Sequence, residues 1–326
     1  MYDVITLGSA TIDCFVFTGN QLFTKAKKSM KKYDIVHVPF GTKIVVDEID
    51  FKTGGGGTNT AVAFAKLNLN TAFLGKLGGS QAGQILEELK REKVDTSLIV
   101  PGNSTGYSVV LDASGHDRTI LAHKGCNNQL RLSEVKISRM KTSWFYMASM
   151  VGESYKTMLA LAPKLSKQGV KIAFNPSSYI AKQGHRKLKS ILAITDVLVF
   201  NREEAGELLG KEYPMPECMK RLRKLVKGIV VVTDGSNGTH CSADKLYYLP
   251  ISDKRKPVET TGAGDSYAAG FVAGLIMKKD IETCMLMGQA NAESVVRQHG
   301  AKNGLLKLRE MQQRMKKLKG MVKVVG

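Results

Sequence analysis

The stretch Thr260-Thr261-Gly262-Ala263-Gly264-Asp265-Ser266-Tyr267-Ala268-Ala269-Gly270-Phe271 decides how the rest of the chain is read. It joins a Gly-Ala-Gly turn to a helix-forming run, residues 267–277, in which Ala268, Ala269, Gly270, Ala273 and Gly274 are small. Glycines at a helix start leave backbone N–H groups uncovered. The aligned peptide dipoles put about half a positive charge there. Such a turn suits a phosphate, or the negative charge that develops while a phosphoryl group moves. Asp265 follows directly, within reach of a hydroxyl lying at the turn, and a carboxylate so placed can accept the hydroxyl proton. The same residues also describe a tight turn feeding a helix that packs through its small side chains, and the motif alone leaves both readings open.

Outward from this stretch, strand-like and helix-like runs alternate. Apolar runs at residues 4–7, 72–74, 144–147, 171–174, 197–200 and 229–233 are interleaved with amphipathic runs at 58–67, 81–92, 155–168, 186–194, 202–209 and 217–225. Near-continuous apolar strands predict a parallel sheet covered on both faces, with ligands collecting beyond the strands' carboxyl ends. Two segments break the alternation. Residues 14–53 hold β-branched and aromatic runs at 15–18, 35–38 and 43–46, and residues 104–122 read as a hairpin, 107–111 and 119–121, around Ser114-Gly115. Together they predict a small separate sheet inserted into the α/β domain. Residues 305–325 predict one basic amphipathic helix, with Leu305, Leu308, Met311, Met315 and Leu318 on one side. Packing on the domain edge is the plain reading, and a membrane-surface or partner helix the other.

Four further motifs have chemical readings. Gly54-Gly55-Gly56-Gly57 precedes a helix in which Asn59 offers donors and an acceptor to hydroxyl groups. The glycines admit a ligand to the backbone, form a hinge, or do both. Neither the dinucleotide fingerprint nor the phosphate loop G-x-x-x-x-G-K-[ST] is present. Asn201-Arg202-Glu203-Glu204 is either a helix cap or a source of oxygen donors close to Mg²⁺, directly or through water. In Asp234-Gly235-Ser236-Asn237-Gly238, the preceding Thr233 can reach a nucleotide phosphate that Gly235 lets pass, or the segment is a plain turn. Asp13, expected at the end of the first strand, either binds substrate hydroxyls or lies in a surface loop.

Composition narrows the classes. The chain has 326 residues, and 48 Lys plus Arg against 29 Asp plus Glu give 48 − 29 = +19. A hydrophobic share of 43% excludes wholesale disorder. The five cysteines, Cys14, Cys126, Cys218, Cys241 and Cys284, contain no C-x-x-C pair, which excludes a zinc ribbon or disulfide framework and suits a reducing cytosol. No run approaches the roughly 20 apolar residues of a membrane helix, and Asp3 and Asp13 argue against a secretory signal. Basic clusters lie at 25–32, 221–227, 254–256 and 316–319, without an RNP-type aromatic motif or a Cys/His finger. A solvated surface is therefore the default for them and nucleic acid the other reading.

Taken in order, Asp13, GGGGTNTAVAFAKL (54–67), GKLGGSQAG (75–83), NREE (201–204), VVVTDGSNGT (230–239) and TTGAGDSYAAGF (260–271) resemble the ribokinase-like (PfkB) carbohydrate-kinase family, which includes adenosine and other nucleoside kinases. The resemblance implies a three-layer α/β/α domain with a mostly parallel sheet (residues 1–13, 54–103 and 123–326) and a small β-sheet lid (14–53 and 104–122). It implies a cytoplasmic enzyme that moves the γ-phosphoryl group of ATP to a hydroxyl of a sugar or sugar-containing small molecule. In that pattern Asp265 is the base, and the N–H groups of Gly262, Ala263 and Gly264 form the anion hole. Asp13, Gly54, Gly55 and Asn59 hold the substrate. Asn201 and Glu204 organise Mg²⁺, and Thr233, Gly235, Gly238 and Asn291 line the ATP site. Members often form homodimers through the lid.

A nucleoside acceptor is the alternative, with Phe15, Phe17, Phe40 and Tyr107 able to stack on a base or to form the lid core or a dimer contact. A phosphorylated sugar, suggested by Lys25, Lys27, Lys28, Lys31 and Lys32, comes next, and a nucleic-acid-binding role after it. Three departures from the family pattern bear on the substrate. Glu259 stands where Asp is common, at the monovalent-cation site of ribokinases, so K⁺ activation is left open. Gly56 stands where ribokinases have Lys. Tyr146-Met147-Ala148-Ser149 stands where they have a substrate-binding Glu, which points away from ribose.

Overall fold

In the strand Val197–Asn201, Val197 and Val199 join one buried apolar layer, while Leu198 and Phe200 join another. The period of two sends alternate side chains to opposite faces, and here both faces are covered. A computed structural model of the protein describes residues 1–18, 41, 43, 45–113 and 119–325. In chain order its first elements are β1 Tyr2–Leu7, β2 Thr11–Thr18, β3 Glu48–Gly54, α1 Gly56–Lys66, β4 Thr71–Leu74, β5 Lys76–Gly78, α2 Ala82–Arg91, β6 Val100–Gly102, β7 Gly106–Ala113 and β8 Thr119–His123. Then come β9 Thr142–Ala148, α3 Gly152–Lys167, β10 Lys171–Asn175, α4 Ser178–Ala181, α5 Gly184–Leu192, β11 Val197–Asn201, α6 Arg202–Leu209, α7 Met215–Leu225 and β12 Ile229–Thr233. The last are β13 Thr239–Ser242, β14 Leu246–Leu249, α8 Ala263–Ile276, α9 Ile281–Val295, α10 Leu308–Leu318 and β15 Lys323–Val324.

Among the described residues nine strands form the main sheet, in the order β15-β14-β13-β12-β11-β10-β9-β1-β4. From β12 to β4 neighbours are parallel; β13, β14 and β15 extend the sheet antiparallel. One core layer holds apolar residues of α1, α2, α8 and α9 and the other those of α3, α5, α6 and α7. This is the three-layer α/β/α architecture that the alternation predicts. Because the parallel strands run the same way, the residues at their carboxyl ends come to one edge of the sheet.

A second sheet, ordered β3-β2-β7-β8, leaves from that edge. Only Gly8-Ser9-Ala10 separates β1 from β2, so the small sheet is attached where the main strands end. Asp13 therefore lies within β2, opposite Lys52 and Ser108, and not at the end of the first strand. Residues 43, 45 and 46 are not strand, against expectation. β2 and β3 pair residue for residue from Thr11↔Gly54 to Phe17↔Glu48, so β2 runs out before it could reach them, and Val45 is 85% exposed. The predicted run at 35–38, the lysines of 25–32, Phe40 and the Ser114-Gly115 loop lie outside the described residues.

The C-terminal segment also differs from one long helix. It leaves helical backbone at Lys319 (ψ 132°), and Lys323–Val324 pairs with β14. Met311 and Leu318 bury against the α9 layer, which is the edge-packing reading. Among the described residues no helix is long and apolar enough to cross a membrane.

The small residues of α8 are used for close packing. A Cβ added at Gly270 would stand 2.6 Å from Met287 O, and one at Gly274 2.7 Å from Cys284 Sγ, both on α9. Gly270→Ala should therefore destabilise the protein by about 1–3 kcal/mol, the range for overpacking. Gly83→Ala on the exposed face of α2, where nothing lies within 4 Å of the new carbon, should stabilise it by about 0.4–1 kcal/mol. Urea unfolding curves of the two variants check the contrast.

Candidate active site

The site is built where two helices begin at the sheet edge. At α1, the Gly57 N–H donates to Ser9 O at 3.0 Å, which seats the helix start on the β1–β2 loop. The side chains of Thr58 and Thr60 donate back to Gly54 O and Gly56 O at 2.6 and 2.7 Å. At α8, Gly262 is the N-cap with φ 80°, a left-handed conformation that a side chain would strain. Asp265 follows in the first turn. Asn59 Nδ2 donates to Asp265 Oδ2 at 2.9 Å, so the two helix starts meet through this pair. Asn59 Oδ1 is buried and has no hydrogen-bond partner among the described residues. An orphaned buried acceptor beside a carboxylate is a ready partner for a ligand hydroxyl.

A cavity of about 300 Å³ opens over Asp265. Its wall includes Ser9, Gly56, Gly262 and Gly264, and also Ser149, Asn175, Asn201 and Thr233 from strand ends. A second cavity, about 400 Å³, adjoins it and shares Thr233 and Gly264. Gly235 and Gly238 line this second space, together with apolar Ile251, Tyr267 and Val296 and a cationic rim at Lys254, Arg255 and Lys256. An apolar slot with a charged rim, leading to a polar chamber at a helix N-terminus, fits a molecule with a flat organic end and a phosphorylated end.

Burial pushes the Asp265 carboxyl above the ordinary carboxylate range, while the Asn59 hydrogen bond and the nearby Lys302 charge pull it back. Asp13 shows the same balance: burial raises it, and hydrogen bonds with Ser108 and Thr11 and the Lys302 charge oppose. Gly54 makes room for Asp13, since a Cβ there would lie 2.0 Å from Asp13 Oδ2. Glu204 is raised as well. Burial first, then the charges of Glu207, Asp265 and Glu203, push it up to about 7.

Several sequence expectations are refined. Asn201 and Glu204 do form a capping pair: Asn201 Oδ1 accepts from Glu204 N at 2.8 Å, and Glu204 Oε2 from Asn201 N at 2.9 Å. Both nevertheless line the first cavity, so cap and cavity wall coexist. The Ala263 N–H turns back to Thr260 O at 3.2 Å, which occupies one of the three N–H groups expected to face an anion. Asn291 lines neither cavity. It is 1% exposed, donating to Ser266 O at 3.0 Å and accepting from Leu306 N at 3.1 Å, so it braces α8 from behind. Phe15 is buried in the small sheet, while Phe17, half-buried on the same face as Asp13, meets His299 edge-on.

Ser9, Asn175 and Ser177 were not singled out by any motif, and Ser149 entered only through the 146–149 segment that stands where ribokinases have a substrate-binding Glu. Ser149 Oγ and Ser177 Oγ lie 2.5 Å apart at the ends of β9 and β10. The available signal was general: they follow strands whose carboxyl ends should gather ligands.

The donors facing the first cavity, Glu204, Asp265 and Asn201, are oxygens, the chemistry a hard divalent cation prefers. Among the described residues no group of three or more His, Cys, Asp or Glu could hold a metal unaided. A cation here would keep waters or phosphate oxygens as its remaining ligands.

Glu204 yields a prediction. A carboxyl raised on folding adds stability that is whole below its ordinary value of 4.5 and is lost as pH rises through about 7. Without metal or nucleotide, the melting temperature of the wild type should fall more between about pH 5 and pH 8 than that of Glu204→Gln. Scanning fluorimetry across that range checks it.

Comparison with known proteins places the chain in a family. The pfkB family carbohydrate kinases match residues 23–308. An uncharacterized sugar kinase of Archaeoglobus fulgidus is 28% identical over 250 residues, 75% of this chain and 98% of that protein. A ribokinase of Haemophilus influenzae is 26% identical over 283 residues, covering 83% and 91%. Among solved structures, the Arabidopsis thaliana ribokinase complexed with ribose and ATP superposes with TM-score 0.79 at 22% identity, over 97% of this chain and 99% of that one. The adenosine kinase of Sinorhizobium meliloti gives 0.80 at 21%, over 96% and 99%. At these identities the structural likeness shows the fold, and the family match carries the rest: the chain belongs to the pfkB family of carbohydrate kinases, phosphotransferases with an alcohol group as acceptor.

Proposed function

We propose that the protein transfers the γ-phosphoryl group of ATP to a hydroxyl of a sugar or sugar-containing small molecule, with Asp265 as the base. The observation that carries this reading is the position of Asp265 in the first turn of α8, beside the shared wall residue Gly264 where the two cavities meet. The nucleotide base would occupy the apolar cavity, with its phosphates passing Thr233 and Gly235 toward Gly262 and Gly264. The acceptor would lie on the Gly54, Gly55 and Asn59 side, with Asp13 binding its other hydroxyls and Asn59 Oδ1 accepting from one of them. The acceptor oxygen attacks the γ-phosphorus and its proton passes to Asp265. The bond from the γ-phosphorus to the β,γ-bridging oxygen breaks, and ADP leaves with that oxygen. Unpaired backbone N–H groups of the α8 turn stabilise the charge on the moving group. Mg²⁺ bound with ATP would neutralise phosphate charge, and Glu204 and Asn201 are the residues suited to hold it through its waters.

The small sheet supports two additional assignments. It would act as a lid over the acceptor and exclude water, the competing phosphoryl acceptor. Its register puts Val16, Ile49, Phe51, Val109, Leu111 and Leu121 on the face opposite Asp13. Ile49 and Phe51 are each 49% exposed and Leu121 60%. An apolar face of this kind on a sheet suits a second copy of the chain. The five cysteines are all buried and unbridged, which supports a reducing, cytoplasmic setting.

Two outcomes test these assignments. With Mg·ATP and a panel of pentoses, hexoses, nucleosides and sugar phosphates, at least one acceptor should drive ADP release. Asp265→Asn should keep ATP affinity and lose at least ~100-fold in that rate; unchanged turnover would remove Asp265 from the base role. Separately, light scattering should give twice the chain mass for the wild type and a single chain for Ile49→Lys combined with Leu121→Lys.

A further inference from the structure

Lys302 carries its ammonium into the interior, with 5% of its side chain exposed. Taking an ammonium out of water is unfavourable by several kcal/mol unless partners compensate. Here Glu88 Oε2 lies at 2.7 Å and Thr53 Oγ1 at 3.1 Å, and Thr53 Oγ1 donates to the same Glu88 oxygen. Three elements distant in sequence meet at this one charge: the loop after α9, helix α2 and the end of β3.

The two neighbours of Lys302 lead to the phosphoryl side of the site. Gly300 N donates to Glu259 Oε2 at 2.7 Å, which fastens the loop to the segment just before the α8 turn. Ala301 packs under Gly262, since a Cβ added to that glycine would stand 2.5 Å from Ala301 Cβ. On the other side, Thr53 is followed directly by Gly54 and Gly55 and sits one position from Lys52, which pairs with Asp13 in the sheet. An apolar side chain such as Met would fill the same space without the desolvation penalty. What an apolar plug would lack is a positive charge felt at both Asp13 and Asp265, where it favours the carboxylate form.

We propose that Lys302 is a positioning residue for phosphoryl transfer: its ammonium pins the end of β3 to the loop that supports the α8 turn. The acceptor side of the site is thereby held in one geometry with the phosphoryl side. The inference rests on the assignment of Asp265 and its turn to phosphoryl transfer. A displacement of about 1 Å between two such halves can lower a rate by roughly 100-fold, so a fixed link between them has catalytic value.

The test uses the full chain and three variants: Lys302→Arg, Lys302→Met, and Lys302→Met combined with Glu88→Gln, which leaves neither charge buried alone. Hydrogen exchange read by mass spectrometry needs no ligand. Peptides spanning 51–60 and 259–266 should both exchange faster in Lys302→Met and in the double variant, and stay near wild type in Lys302→Arg. With the acceptor that the wild type turns over fastest in the panel above, kcat should fall roughly 10- to 100-fold in the double variant, with the KM for ATP within about 3-fold and most of the rate restored by Lys302→Arg. Unchanged exchange at 259–266 in the double variant overturns the pinning, and an unchanged kcat overturns its role in transfer. If the wild type turns over no acceptor, the transfer assignment itself fails, while the exchange measurement still decides whether Lys302 joins the two halves.

Discussion

The hydrogen bond from Asn59 to Asp265, 2.9 Å long, joins the starts of two helices from opposite ends of the chain. Everything else in the site is arranged around it. Helix α1 is seated by the β1–β2 loop, and α8 by the contact of Gly262 with Ala301. Two helix N-termini converging on one carboxylate favour its charged form, whereas burial opposes it. Burial raises the proton affinity of Asp265, and the Asn59 hydrogen bond and the Lys302 charge act against it, which suits the base role proposed above. The Asn59 amide nitrogen donates to Asp265, and its buried carbonyl oxygen has no partner among the described residues.

The layered fold was legible because it follows from local periodicity. Runs such as Val230–Val231–Val232, wholly buried, can only be strands of a sheet covered on both sides, and helical runs between them supply the covers. The α8 turn was legible because glycines and an acid stand in one short stretch. Legibility ended where a position depends on distant chain. Asp13 looked like the end of a strand, but three loop residues carry it into a different sheet. Asn291 stands on a helix next to the active one, yet its polar atoms face α8 and Leu306. Lys302 was one lysine among many, and its burial depends on Glu88 and Thr53, more than 200 residues away in sequence. Periodicity carries no signal for such partners.

The excess of +19 is divided by the structure into different uses. Lys254, Arg255 and Lys256 rim the apolar cavity, and Arg255 is tied to Asp253 at 2.7 Å. Lys302 is internal. Arg221 stacks over Tyr213 and pairs with Glu217 at 2.6 Å on α7. Lys316, Lys317 and Lys319 are exposed on the terminal helix and its end. Surface solvation accounts for the last group, while the residues at 254–256 border the apolar cavity. Position in the fold, more than the total, decides what each charge can do.

The proposed transfer requires an acceptor hydroxyl to meet Asp265 while the transferring group faces the α8 turn. The most direct measurement is a crystal structure with ADP, Mg²⁺, aluminium fluoride and an acceptor from the panel. An acceptor oxygen should lie within about 2.6–3.2 Å of the Asp265 carboxylate, in line with the aluminium and the ADP oxygen, with fluorides directed at the N–H groups of Gly262 and Gly264. An acceptor hydroxyl turned away from Asp265, or an aluminium fluoride bound outside the α8 turn, would contradict it.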